Sequence, residues 1–275
     1  KFFSKRFWRY AILFNVPLVP HYLSQTVLNS ADRIMIKKMV GESEAGIYNL
    51  AYSVSSIMTL FNTALSQTVS PWIYKKIKDR KGKEIAPIAY ITLLFVAAVN
   101  LVLIVLAPEA VAIFAPEEYY DAIWVIPPVA MSAFFMYSYD MFAKFAFYYE
   151  KTKMIMVASI FGAILNLFLN YIFIRQLGYV IAGYTTLVCY VVYAMTHYCF
   201  MKKVCDEFCD GEYPYEVKRI LLITIPFMVI GFILLATYSY PFIRYGLIIL
   251  FLLGAFIIRK RALGAIRDII NIKHK

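Results

Sequence analysis

The run Ile220-Leu221-Leu222-Ile223-Thr224-Ile225-Pro226-Phe227-Met228-Val229-Ile230 decides the fold class, because eleven consecutive positions carry no charge and no period-two alternation. The chain around it is equally apolar. Met154 to Ile174, Tyr179 to Met201 and Ile220 to Ile243 contain no Asp, Glu, Lys or Arg. A bilayer core needs about 20 apolar residues per helical crossing, so each stretch is long enough to span. Outer-membrane barrels show ~10-residue alternating segments instead. Over all 275 residues, 62% are hydrophobic and only 16% charged, against about a quarter charged in a soluble domain. The sequence therefore predicts an all-α, polytopic integral membrane protein.

Apolar runs and turn residues together place eight transmembrane helices near residues 10–36, 44–75, 85–107, 118–147, 153–175, 179–202, 217–237 and 242–259. Pro17 and Pro20 interrupt the first, Pro127 and Pro128 the fourth, and Pro226 the seventh. Lys and Arg then set the orientation, because cytoplasmic loops retain an excess of them. With these spans, 23 of the 28 Lys and Arg fall on one side and only Arg33, Lys37, Lys38, Arg175 and Arg244 on the other. Both ends of the segment are expected in the cytoplasm. The net charge of +11 is split into short clusters between apolar runs rather than forming one basic face, so a nucleic-acid partner is not expected.

Cys189, Cys199, Cys205 and Cys209 make neither a disulfide framework nor a zinc spacing, and no metal or cofactor is expected. There is no G-x-S-x-G, no H-E-x-x-H, no Walker loop and no Gly-rich dinucleotide turn. Soluble-type catalysis and ATP hydrolysis are not indicated, and a transporter rather than an enzyme is expected.

Polar side chains at bilayer depth are costly unless they face protein or water. The first helix carries His21, Gln25, Asn29 and Asp32 or Arg33, spaced by four, four and three or four, along one face. The second carries Tyr48, Tyr52, Ser55, Thr59, Asn62, Ser66 and Ser70 at intervals of three and four, with Ser56, Thr63 and Gln67 widening the stripe. These residues are the expected lining of a substrate cavity; the plainer alternative is that the hydroxyls only join helices. On the fourth helix Asp140 and Lys144 are four apart, as an ion pair or a coupling site. Asn166 with Asn170, and Thr186, Tyr190, Tyr193 and His197, make weaker repeats.

The stretches Pro17-Leu-Val-Pro-His-Tyr-Leu-Ser, Leu28-Asn-Ser-Ala-Asp-Arg-Ile-Met-Ile and Ala45-Gly-Ile-Tyr-Asn-Leu-Ala-Tyr resemble the seventh and eighth helices of Wzx-type oligosaccharide flippases. These belong to the multidrug/oligosaccharidyl-lipid/polysaccharide exporter superfamily. Leu165-Asn-Leu-Phe-Leu-Asn-Tyr-Ile-Phe-Ile and Leu177-Gly-Tyr-Val-Ile-Ala-Gly-Tyr-Thr-Thr are similar to its eleventh and twelfth helices. A departure is Ile181-Ala182-Gly183 where the family usually has Gly-Ala-Ala, which loosens the packing expected between the fifth and sixth spans. The resemblance implies the C-terminal half of a two-lobe protein of the bacterial cytoplasmic membrane. Residues 1–202 would form a six-helix lobe, and residues 203–275 a cytoplasmic loop, two further helices and a basic tail. It implies translocation of polyprenyl-diphosphate-linked oligosaccharide by alternating access for cell-surface polysaccharide synthesis. Its partners would be that substrate, membrane lipids and an N-terminal lobe. Two alternatives stay open: a cation-coupled multidrug antiporter in which Asp32 and Asp140 bind Na⁺ or H⁺, and a membrane glycosyltransferase or polymerase.

Overall fold

A computed structural model describes residues 4–271. Among them the only regular structure is helical, in the order α1 (Lys5–Asn15), α2 (Leu18–Met39), α3 (Glu42–Lys78), α4 (Ile85–Val105), α5 (Ala107–Phe114), α6 (Ile126–Tyr148), α7 (Thr152–Leu177), α8 (Ile181–Phe208), α9 (Val217–Ala236) and α10 (Pro241–Asn271). Short 3-10 turns occupy Gly82–Glu84, Glu117–Trp124 and Thr237–Ser239.

By length and composition, Gly82–Val105, Thr152–Leu177 and Val217–Ser239 can each cross a membrane. Glu117–Trp124 with Ile126–Tyr148, bent by 47°, makes a fourth crossing if the pair is one span. The helices α2, α3 and α8 fall outside this group because their polar stripes lower the mean apolarity that length alone would satisfy.

Prolines account for the main differences from the sequence-based boundaries. The expected first helix is two: the chain breaks at Val16-Pro17, and α2 then runs straight through Pro20. The connection around Pro108 is not open loop but the short helix α5, with Pro108 in its first turn, where a missing N–H costs nothing. Pro127 and Pro128 do not interrupt a helix; they open α6, which begins eight residues later than expected, after the 3-10 turn. Helix ends on the basic side are closed by left-handed residues, Arg80, Glu150 and Asp210, after α3, α6 and α8. The Lys81 and Lys151 amides then reach back to the Lys76 and Ala146 carbonyls at 2.9 and 2.8 Å, capping α3 and α6.

The central pillar is α6, buried along most of its length and packed on α8, α3 and α4. The helices α2 and α7 form a second tight pair, and α7 packs on α8. Gly183 of α8 faces α6: an added Cβ there would sit 3.1 Å from Pro128 Cγ and 3.4 Å from the Val125 carbonyl oxygen. The glycine of the departing Ile181-Ala182-Gly183 triplet thus serves contact with the fourth expected span rather than the fifth. The helix α9 lies against α4 and α6, with Phe227 stacked on Phe134 at 4.4 Å between ring centroids. The outer faces of α9 and α10 are apolar and uncovered, as Leu222, Ile225, Phe242 and Leu250 show.

At one end of this assembly Arg244 is buried, bonded to Glu109 of α5 and placed between the Tyr238 and Tyr245 rings. Tyr245 adds a second bond to the same Glu109 oxygen at 2.9 Å. That cluster fastens the start of α10.

Candidate functional site

The spacing of the α2 seam puts His21, Gln25, Asn29 and Asp32 on the side that meets α7 and α8. His21 Nδ1 is 2.5 Å from the Ser159 hydroxyl, which in turn lies 2.6 Å from the Tyr193 hydroxyl. Gln25 donates its amide to the same Tyr193 at 2.8 Å. One turn on, Asn29 Oδ1 accepts from Tyr52 at 2.9 Å and from Tyr190 at 3.2 Å.

Asp32 is the most enclosed member, 1% exposed. Its Oδ2 accepts from the Tyr48 hydroxyl and the Thr186 hydroxyl, both at 2.7 Å, and its Oδ1 accepts from the Asn170 amide at 2.5 Å. Asn170 also donates to Asn166 Oδ1 at 3.2 Å and accepts from Thr185, and Asn166 donates to Thr186 at 3.4 Å. Four helices, α2, α3, α7 and α8, therefore converge on one carboxylate. Every bond to it comes from a neutral group, and among the described residues no cation pairs with it. Arg33, next in sequence, points elsewhere: it donates to Asn49 Oδ1 at 3.0 Å and to the Asn29 carbonyl at 2.7 Å, with its guanidinium 4.9 Å from the Tyr52 ring centroid.

The α3 stripe divides in two. Ser55 donates to the Ala51 carbonyl and, at 3.4 Å, to that of Ile126, and Asn62 donates to the Ala133 carbonyl at 2.7 Å, so both stitch α3 to α6. Turned outward beside them are Asn49, Ser53, Thr59, Thr63 and Gln67, all exposed. Two recesses open between α3 and α6. The smaller, about 20 Å³, is lined by Asn29, Tyr52, Ser55, Thr59 and Tyr190 among others. The larger, about 210 Å³, is lined by Asn62, Ser66 and Asp140 with Thr63, Gln67 and two tyrosines. Met136 stands in the wall of both. Ser66 donates to Asp140 Oδ2 at 2.6 Å, and Lys144 bonds both that oxygen and, at 3.0 Å, Ser66.

Of the residues singled out in the sequence, Asn29, Tyr52, Ser55, Thr59, Asn62, Ser66 and Asp140 line recesses. His21, Gln25, Asp32, Arg33, Tyr48 and Lys144 sit in hydrogen-bonded contacts between or beside helices. Neither Ser159 nor Thr185 stands out in the sequence: Ser159 is an isolated hydroxyl and Thr185 one of several on α8, and their partners are fixed only by which faces of the helices meet. The four-residue Asn166–Asn170 repeat carried a legible signal, as did the face shared by Thr186, Tyr190 and Tyr193.

The family model described as MatE matches residues 17–172. The chain belongs to the MatE family. Among curated relatives, a Haemophilus influenzae protein of the Lsg locus is 24% identical over 57% of this chain, and an uncharacterized membrane protein of the same species is 24% identical over 58%. The matched part is 39% of the length of each relative. Among solved structures, an outward-facing multidrug resistance MATE family transporter of the MOP superfamily superposes with a TM-score of 0.59 at 19% identity, covering 84% of this chain and 53% of that one. A MOP superfamily transporter from Pyrococcus furiosus, described by the reverse polarity of its binding pocket, gives 0.56 at 19% identity, covering 79% and 51%. This MatE protein has a membrane transporter fold and is a multi-pass membrane protein; its family and both structural neighbours are transporters, not enzymes. The chain spans about half the length of the structures it resembles.

Proposed function

We propose that this MatE protein is one lobe, with two added helices, of a flippase that moves polyprenyl-diphosphate-linked oligosaccharide across the bacterial cytoplasmic membrane by alternating access. In this reading the eight long helices α2, α3, α4, α6, α7, α8, α9 and α10 all cross, both ends of the segment are cytoplasmic, and residues 1–202 form the lobe. The observation that carries it is the uncovered polar side of α3, Asn49, Ser53, Thr59, Thr63 and Gln67, with two recesses behind it. Polar groups at bilayer depth stay uncovered only beside water or a protein partner, which suits a hydrated passage shared with a second lobe. The recess walls offer amides, hydroxyls and tyrosines, the groups that bond sugars. Arg33, half-buried at the edge of the same surface, is a fixed cation for a diphosphate. An inside-negative potential favours outward movement of the anionic head at ~2.3 kcal/mol per charge per 100 mV, so ATP is not required.

The test is translocation of a fluorescent lipid-linked oligosaccharide in proteoliposomes holding the full-length protein. Arg33→Ala should lower the rate at least tenfold, about 1.4 kcal/mol of lost interaction, with the melting temperature kept. Unchanged translocation removes Arg33 from the mechanism.

A second reading has its own observation. A buried carboxylate bonded only by neutral donors is a costly arrangement unless a cation or proton completes it, which favours Asp32 as a coupling site in a cation-driven antiporter or flippase. Asp32→Asn keeps the shape and removes the charge. Transport by this variant should lose its response to a Na⁺ or pH gradient; a retained response excludes Asp32 as the coupling group.

A further inference from the structure

We propose that the larger recess between α3 and α6 is a subsite for a single uncharged, hydroxyl-bearing sugar ring, and that it selects which residue of the saccharide stands there. The proposal deepens the flippase reading and rests on it. Three properties of the recess lead to this ligand class.

The first is charge. Asp140 and Lys144 are the ionic groups at the recess, and they are paired with each other. The Lys144 side chain is 4% exposed and lies behind, while that of Asp140 is 37% exposed and faces outward. The pair is neutral as a unit. An incoming cation competes with an ammonium already bonded to the carboxylate, and an incoming anion meets the carboxylate first. A neutral polar ligand meets neither obstacle.

The second is the hydrogen-bond inventory. Because Asn62 must offer its NH₂ to the Ala133 carbonyl, the amide orientation is fixed, and its Oδ1 is left buried without a partner. An unpartnered buried acceptor is unfavourable, and since Asn62 lines the recess, a donor seated there is the partner it lacks. Asp140 and Ser66 stand beside it, with Thr63 and Gln67 exposed at the rim. Such a mixture of acceptors and donors matches hydroxyls, each of which both donates and accepts.

The third is size and wall. The recess is about 210 Å³, below the roughly 300–1,000 Å³ of sites for drug-sized ligands, and so takes one ring rather than a chain. Tyr137, Tyr139 and Met136 give it an apolar side for the C–H face of that ring. Through Met136 it adjoins the small recess of Asn29 and Tyr52, over which the Arg33 guanidinium is stacked. A diphosphate at Arg33 would leave the sugars extending along α3 toward Ser66.

The experiment uses the full-length transporter in nanodiscs and saturation-transfer NMR. The probes are the methyl glycosides of glucose, galactose and their N-acetylamino forms, with tetramethylammonium and inorganic phosphate as charged probes. At least one glycoside should bind, and Asn62→Leu should weaken it about tenfold, the equivalent of ~1.4 kcal/mol. Since Asn62 also stitches α3 to α6, Gln67→Met and Thr63→Val serve as variants of exposed side chains and should weaken the same glycoside with the melting temperature unchanged. Absence of glycoside binding to the folded wild type overturns the proposal, and so does tetramethylammonium binding that Asp140→Asn abolishes. Lipid-linked oligosaccharide moved with the same rate and sugar preference by Gln67→Met and Asn62→Leu rejects the subsite and leaves the flippase reading standing. Glycoside binding lost in these variants, in a wild type that moves no lipid-linked saccharide, rejects the flippase reading and keeps the sugar site.

Discussion

Asn170 is the residue on which the buried network turns, since it donates to Asp32 and Asn166 and accepts from Thr185. Replacing it with Ala leaves the buried Asp32 and Asn166 oxygens without its donor, while the Thr185 hydroxyl keeps the Ala182 carbonyl. The expected loss is about 1–3 kcal/mol, read as a lower melting temperature of the purified full-length protein. Thr26→Ala on the exposed side of the same α2 should change it by less than ~0.5 kcal/mol. An equal shift for both would show that Asn170 is not structural. The sequence made half of this legible. A four-residue repeat of Asn on an apolar helix reveals a polar face, and the α2 seam reveals another, because intramembrane polarity is rare enough to stand out. Which polar face meets which is a matter of tertiary packing. Nothing in the sequence ties His21 to Ser159 across 138 positions, and Thr185 is one hydroxyl among several on α8.

At the scale of elements, the contact of α6 with α8 depends on a missing side chain. Gly183→Val would drive methyl groups into Pro128 and the Val125 backbone, a strain of about 1–3 kcal/mol that neither can relieve by rotation. The expected result is a lower melting temperature together with lost transport, whereas Leu222→Ala on the uncovered side of α9 should leave both near wild type. Should Gly183→Val melt as the wild type does, the close approach of α6 and α8 is not maintained in the membrane. Apolar runs and prolines made the long helices readable from residue order. They misplaced the start of α6, because Pro127-Pro128 reads equally as an interruption or as a first turn. The short helix α5 was hidden because eight residues with a leading Pro look like any connecting loop.

For the whole molecule, the asymmetry of Lys and Arg is the strongest orienting signal, and it yields a direct test. Single cysteines placed at Lys81 and at Glu117 in a cysteine-free background should react with a membrane-impermeant maleimide from opposite sides, Lys81 only after the cytoplasmic side is opened. Reaction of both in intact cells would contradict the proposed topology. What residue order alone left open was the division of the polar stripes between joints and recesses, since the same serine can tie two helices or face a passage. The uncovered side of α3 distinguishes them: Ser55 bonds a backbone carbonyl of α6 as well as one of its own helix, while Thr63, about two turns beyond, bonds only the Thr59 carbonyl of its own helix.

The break at Val16-Pro17 separates α1 from α2. No residue of α1 is buried, yet Tyr10 bonds Glu150 at 2.5 Å and Phe14 packs on the core; a distance measured by spin labels on Arg9 and Ser53 should therefore broaden when Tyr10 is replaced by Phe, while one between Ser30 and Phe168 stays narrow. A segment tethered by one hydroxyl and one ring can shift while the Asp32 cluster keeps its own bonds.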